Sequence, residues 1–412
     1  MNFFSRYKKL FLALGFLILV GLIGYLLWQV FFRPAAPLVP VNPDAENING
    51  LPQAGLGTST NNQATGTGLL PGGVTPSGPP NPNEPSNLAV GGLTKTNSLV
   101  DSRSLNPTTA KDGGLQYYNQ DDNRFYKIDK NGQVSLLSDK VFYNVENVVW
   151  ANSRDKAILE YPDGHKIVYN FQTKEQVTLP SHWQNFSFSP DSQQIVAKSL
   201  GLDPENNWLI VSGDDGSKAK TIENIGSNDK TVYPAWSPNK QIIALYTQGV
   251  DFDRQEIFFV GLNGENFKST LIEGRGLRSQ WSTSGDRLLY SVYSSSNNMN
   301  PSLWVVDAAG DTINQNRRRI NLNTWADKCT FASNTEVYCA VPENLPEGAG
   351  LFPELADKTK DNLYKVNLDN GTKELIAVPD GTFNISQIIA PSGDYLYFTD
   401  KKTGQIYQVR LK

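Results

Sequence analysis

Short apolar runs separated by turn residues set the rhythm of this chain. In Tyr233-Pro-Ala-Trp-Ser-Pro-Asn-Lys-Gln-Ile-Ile-Ala-Leu-Tyr246 an aromatic closes one strand, Ser-Pro-Asn makes a turn, and an alternating apolar run opens the next strand. Pro presets φ, while Ser, Asn and Asp bond back to their own backbone, so the turn has a mechanism. The unit recurs at Trp150-Ala-Asn-Ser-Arg-Asp155, Phe188-Ser-Pro-Asp191, Trp281-Ser-Thr-Ser-Gly-Asp286, Phe331-Ala-Ser-Asn334 and Ile389-Ala-Pro-Ser-Gly-Asp394, and strands restart at Ile195, Ile242, Leu288, Val337 and Tyr395. A second signature, a strand leading into a glycine turn, begins near Phe125, Lys166, Trp208, Ile257, Leu303, Leu363 and Ile406. Several copies reach Asn131-Gly132, Asp215-Gly216, Asn263-Gly264 or Asn370-Gly371, dipeptides that favour primed two-residue hairpin turns. A repeat of about 40 to 60 residues with several short strands predicts an all-β propeller of four-stranded antiparallel blades. The seven copies of the second signature favour a seven-bladed β-propeller, with six blades as the alternative.

The N-terminal pattern is different. Residues 1–9 are short and basic through Arg6, Lys8 and Lys9, and residues 10–32 carry no charge. At about 1.5 Å per residue, a helix over 10–32 crosses a hydrocarbon core of roughly 30 Å. Only Arg33 follows before Lys95, so the positive-inside rule places the N-terminus in the cytoplasm and the remainder on the extracytoplasmic side of the cell membrane. A cleaved signal peptide is the competing reading, but the apolar run is too long for one, and Pro34 and Pro37 crowd any cleavage site. Residues 33–92 are rich in Pro, Gly, Asn and Ser and lack a hydrophobic period, which predicts a disordered linker. The propeller is expected over 93–412.

The last unit supplies three strands and then the chain stops, so Leu93 to Val100 is expected to add the missing outer strand and close the ring. Cys329 and Cys339 are the only cysteines and stand equally far from Asn334, the middle of an expected hairpin. A disulfide between them suits an oxidising compartment; two small buried thiols are the other reading.

The Trp/Phe-Ser-Pro-Asp/Asn turns, followed by strands such as Leu303-Trp-Val-Val-Asp307, resemble the repeats of TolB-like and WD-repeat-like propellers over about Leu93 to Lys412. Only Phe188 and Trp236 carry the plain Ser-Pro turn. Such propellers include periplasmic interaction proteins and the propeller halves of prolyl oligopeptidase-like peptidases. The layout of short tail, single span, polar stalk and propeller also resembles bacterial membrane proteins of unassigned function. The resemblance implies fold far more than activity.

Chemistry-bearing motifs are sparse. His165 and His182 are the only histidines, neither in a metal-ligand spacing, and there is no Gly-x-Ser-x-Gly elbow. No enzyme activity, metal or cofactor is therefore expected. Asn119-Gln-Asp-Asp-Asn123 and Gly213-Asp-Asp-Gly216 lack the EF-hand ligand pattern and read as hairpin turns, and Arg317 to Arg319 reads as a charged outer strand. Removing the four basic residues Arg6, Lys8, Lys9 and Arg33 from the net charge of −4 leaves −8, the wrong sign for nucleic acid.

One asymmetry points to a ligand surface. The loops joining second to third strands are long at Ser199 to Asn207, Thr247 to Arg254, Ser294 to Pro301 and Pro342 to Asp361, and they share one face with the connections between blades. On that face Trp183, Trp325 and Phe352 are candidate apolar anchors, with His182 beside them, and Asp203, Glu205, Asp251, Asp253, Arg254 and Glu354 are candidate polar partners. The opposing reading packs the tryptophans beneath their loops. Two functions follow: a membrane-anchored scaffold binding another envelope or surface protein or peptide, or a propeller that binds or cleaves extracytoplasmic glycan, for which two carboxylates about 5 to 9.5 Å apart would be diagnostic.

Overall fold

The computed structural model describes residues 16–25 and 84–412. Residues 16–25 form a helix whose side chains are all exposed. The rest of the expected 10–32 span, and most of the 33–92 linker, lie outside the described residues, among which no helix is long and apolar enough to cross a membrane.

The remainder forms seven antiparallel sheets, each a blade of four strands running outward from the first to the fourth, with a fifth strand on one blade. Blade one runs from Ser104–Thr109 to Val134–Leu136, blade two from Asn147–Trp150 to Gln176–Leu179, and blade three from Trp183–Phe188 to Lys220–Asn224. Blade four runs from Val232–Pro234 to Thr270–Glu273, blade five from Arg275–Trp281 to Arg318–Ile320, and blade six from Cys329–Phe331 to Lys373–Pro379. Blade seven has Ile385–Ser392, Tyr395–Asp400 and Ile406–Arg410 in order, with Asn97–Val100 as its outer strand. First strands touch around the ring, and Ile385–Ser392 of blade seven meets Ser104–Thr109 of blade one.

The core lies between the blades. Seven apolar clusters each join two neighbours: Ile242 and Ile257 of blade four meet Leu288 and Tyr290 of blade five, and Ile389 and Ile406 of blade seven meet Leu115 and Ile128 of blade one. Second strands are therefore buried on both faces and read as nearly continuous apolar runs, as in Ile195-Val-Ala197. Fourth strands are more exposed, and Val134–Leu136 is exposed throughout.

The closing segment does more than the sequence predicts. Asn97–Val100 pairs antiparallel with Ile406–Arg410 as expected, but Leu93–Thr94 adds a fifth, parallel strand to blade six through Val378 and Pro379. Backbone bonds also reach back past the expected boundary: the Ala89 amide donates to Arg410 and the Gly91 amide to Ile376. A short stretch assigned to the linker thus belongs to the propeller.

The first turn of each repeat is built as the motif suggests. Ser189, Ser237 and Ser282 are buried. Each hydroxyl accepts the amide of the residue opening the next strand, Gln194, Ile242 or Arg287, at 2.9–3.1 Å. Each hydroxyl also donates to Asp191, Asn239 or Asp286 at 2.6–2.8 Å. These turns bridge blades as well: Asn152 Nδ2 donates to the Ser189 carbonyl, Asn239 Nδ2 to the Gly285 carbonyl, and Lys240 pairs with Asp191 at 2.6 Å. The glycine turns differ from expectation. Gly132, Gly216, Gly264 and Gly371 have positive φ but their preceding Asn or Asp residues do not, so these are not primed turns. At the first of them Asp129 Oδ1 accepts the amides of Asn131 and Gln133, fixing a wider loop that glycine then closes.

Cys329 and Cys339 are direct cross-strand partners on the first two strands of blade six, joined by a disulfide and buried. Intact-mass measurement under non-reducing conditions is expected to read two hydrogens lighter than after reduction. The Asp191 carboxyl is held down to about 2 by its hydrogen bond from Lys240, then by that from Ser189. A depressed carboxyl stabilises the fold above its unfolded pKa and loses that contribution as pH falls through the folded value. Asp191→Asn is expected to cost at most about 1 kcal/mol at pH 7, because the pair is largely exposed. The difference from wild type, followed by thermal melts, should vanish between about pH 4 and about pH 2.

Candidate functional site

Long loops at one end of a propeller become a site when they hold one another in place. Three of the four here do. Asp253 accepts the Ser295 amide at 2.8 Å and its hydroxyl as well, linking the blade-four loop to the blade-five loop. The Gly348 and Gly350 amides donate to the Asn298 and Met299 carbonyls, linking the blade-five loop to the blade-six loop. Two loop residues, Asn298 and Met299, hold positive φ at this junction. Blades four to six therefore present one joined shelf. The blade-three loop is braced within its own blade, where Asn224 Nδ2 donates to the Glu205 carbonyl and Asn207 Nδ2 to the Gly226 carbonyl.

The predicted residues separate into three groups. Trp183 and Trp325 are each only 5% exposed, so neither is a surface anchor. Trp183 packs among Leu179, Phe186 and Ile195, with His182 exposed beside it, and Trp325 packs against Ala349 and Ala356 under the blade-six loop. Their size explains the correction: a tryptophan at the root of a loop fills the space between blades that short side chains leave. Asp251, Asp253 and Arg254 are exposed or half-buried but occupied. Asp251 pairs with Arg254 at 2.6 Å, its carbonyl accepts Arg275, and its carboxyl is held low by Arg254. Asp203, Glu205, Phe352 and Glu354 are exposed, with Phe352 at 52%.

The surface apolar groups that sequence reasoning missed lie on the same loops. Phe252 is 74% exposed, and Leu202, Val250, Leu351 and Leu355 are exposed with it. Their signal was legible: large apolar residues stranded among Asp, Glu, Gly and Pro where no strand period uses them.

Next to the blade-six part of the shelf, a hollow of about 270 Å³ opens between blades five, six and seven. The Trp325 ring lines it, with Arg278 and Lys328 at 5.6 and 5.7 Å from the ring centre. Pro353 and Ala356 of the blade-six loop also line it, next in sequence to Phe352 and Leu355. Every cation in its wall has a partner: Arg278 meets Asp327 at 2.7 Å, Lys401 meets Asp357, and Lys328 meets both oxygens of Asp361 at 2.7 and 2.8 Å. Asp361 also accepts the Ile385 amide of blade seven at 2.6 Å. Burial pushes the Lys328 ammonium down and the Asp361 carboxyl up, while each group's charge opposes the other's shift. Among the described residues no group of three or more His, Cys, Asp and Glu side chains gathers to hold a metal.

No protein-family model and no curated protein matches the chain. Solved structures do. The β-propeller domain of Cps50 (Swd1) from Myceliophteria thermophila is 12% identical, with 77% of this chain and all of that one covered at a TM-score of 0.51. An oligogalacturonate lyase in complex with manganese is 14% identical over 77% of this chain and 93% of its own, also at 0.51. Hydrazine synthase from Kuenenia stuttgartiensis is 13% identical over 76% and 96%, again at 0.51. At such identities the likeness establishes the propeller fold alone.

Removing one member of the buried pair strands the other. Lys328→Met is expected to cost about 3–5 kcal/mol in urea unfolding. The double variant Lys328→Met/Asp361→Leu should recover part of that, the residue being the Ile385 amide left without its acceptor. Trp183→Ala and Trp325→Ala should each cost about 3–5 kcal/mol, as core tryptophans do.

Proposed function

We propose that this chain is a membrane-anchored, extracytoplasmic scaffold that binds another envelope protein or peptide through the loop shelf of blades four to six. The observation that carries the reading is the set of exposed apolar side chains, Val250, Phe252, Leu351, Phe352 and Leu355, on loops fastened to one another by hydrogen bonds. Apolar groups held rigidly at the surface and rimmed by polar ones mark association sites. They lose little conformational freedom on binding, because the loops are already ordered.

Residues 10–32 span the membrane in this reading, with the N-terminus cytoplasmic. The uncharged run and the basic residues ahead of it support that orientation. The Cys329–Cys339 disulfide suits an oxidising compartment. The scaffold acts without catalysis. Its loop acids Asp251 and Asp253 are engaged by Arg254 and Ser295, which argues against a free carboxylate pair for cleaving glycan.

The test is crosslinking on intact cells from a photoreactive group placed at Leu351, followed by identification of what is captured. A reproducible protein partner is expected, and its capture should fall at least tenfold in Phe252→Ser/Phe352→Ser while the thermal midpoint stays within about two degrees, since both side chains are largely exposed. Unchanged capture in that variant would sink the reading.

A further inference from the structure

The outer edge of blade four is left unfinished. Its third strand, Arg254–Gly261, is 8 residues long, but its outer strand, Thr270–Glu273, pairs only with Arg254 to Ile257. The Arg254 carbonyl accepts the Val250 amide and so faces inward, toward the second strand. Backbone groups point to alternate sides along a strand, so Gln255, Ile257, Phe259 and Gly261 face outward. Ile272 and Thr270 lie opposite the first two of these. Among the described residues, nothing hydrogen-bonds to the outward groups of Phe259 or Gly261. Other blades close this place. In blades two, three, five and six the last residue of the third strand, Asn170, Gly213, Asp307 or Asn367, donates its amide to a carbonyl beyond the turn that follows.

We propose that this open edge docks an extended peptide segment of a partner protein. The guest pairs with Phe259 and Gly261 as an added strand, and carries an apolar residue with a basic one two positions away. The proposal does not depend on the loop shelf, since the edge lies on the outer side of the blade.

The edge is reached through a groove of about 470 Å³ between blades three and four. Gly261 lines that groove, and having no side chain it does so with backbone. Phe259 lines it too, while its ring is buried in the cluster shared with blade five. A ligand in the groove therefore meets main chain. That is the chemistry by which an extended peptide joins a sheet: main-chain bonds give affinity, and pockets for alternate side chains give specificity.

Alternate side chains of an added strand enter the groove on the blade-three side. The wall they meet is apolar. Tyr246 and Phe258 stack at 5.6 Å between ring centres, and Ile222 and Val260 are half-buried beside them. The lining also holds two exposed carboxylates, Glu223 and Glu265, and no Lys or Arg. Neither forms an ion pair among the described residues. Glu265 accepts the Asn263 amide at 2.8 Å and reaches back over Gly261, where a cation of the guest would meet it. Charge complementarity thus selects a Lys or Arg on the guest. It also sets aside the chain's own stalk, whose only charged residues between Arg33 and Lys95 are Asp44, Glu46 and Glu84.

The experiment uses the full-length chain in lipid nanodiscs and a panel of fluorescent peptides. Each has a central Phe, Leu or Val among Thr residues, with a Lys two positions away so that both side chains face the groove. At least one should bind in the micromolar range and weaken at least tenfold when its Lys is exchanged for Glu. N-methylating every second amide should abolish binding in one of the two registers and spare it in the other, because an added strand pairs through one edge. Glu223→Lys should weaken binding at least threefold while the thermal midpoint stays within about two degrees, the residue being exposed. Hydrogen exchange of the segment holding Phe259 and Gly261 should slow when peptide is bound. The proposal is overturned if no Lys peptide binds, if the two N-methylated registers behave alike, or if the Glu peptides bind as tightly. Unchanged binding in Glu223→Lys, or exchange slowed at the loops and not at this strand, would also overturn it. A chain that sediments as a dimer with this segment already protected and peptide excluded would overturn it in favour of a second copy.

Discussion

Every blade of this propeller depends on a neighbour to cover its faces, so the constraint under the whole structure is closure of the ring. Among the described residues, seven apolar clusters each need residues from two blades, the last joining blade seven to blade one, and an eighth lies under the blade-six loop. The segment from Ser86 to Val100 meets that constraint twice over. It pairs with the end of the chain through Asn97–Val100 and clasps blade six through Leu93–Thr94, so the two ends of the propeller are tied across two blades rather than one. Backbone hydrogen bonds make the joint, and it covers strand edges that would otherwise stand open.

Closure leaves the two ends of the propeller differently built. At one end the short turns are cross-linked from blade to blade by Asn152, Asn239, Lys240 and Asn334, leaving little space or freedom. At the other, loops of many lengths rise from strand ends already held in place by packing below. A rigid frame under variable loops is the arrangement on which binding surfaces are commonly built. The exposed apolar side chains and the joined loop shelf lie at this second end.

Blade six carries much of the connection between frame and surface. Its first strand is joined to its second by the disulfide, and the residue before Cys329 is Lys328, whose buried bond to Asp361 reaches the Ile385 amide of blade seven. Trp325, a few residues earlier, supports the loop that presents Phe352. Covalent, ionic and apolar contacts thus converge where the loop shelf meets the inner ring. Charges buried this way contribute little net stability, but they tolerate few alternative arrangements.

The repeat was legible because its determinants are local. A buried serine that bonds an amide five residues on, an Asn or Asp two to four residues past it, and an apolar run for the next strand all sit within a few positions of one another. The cysteines were legible for the same reason, being placed symmetrically about one hairpin. The site was less so. Trp183 and Trp325 read as surface anchors because a loop position says nothing about depth, and Phe252 was passed over although it sits between two residues singled out. The amino-acid sequence by itself determined the blade and favoured seven copies of it over six, since strand, turn and strand are set by neighbouring residues. Burial of the tryptophans and joining of the loops were decided only in three dimensions, because each depends on packing between blades that the chain does not make adjacent until the ring is closed.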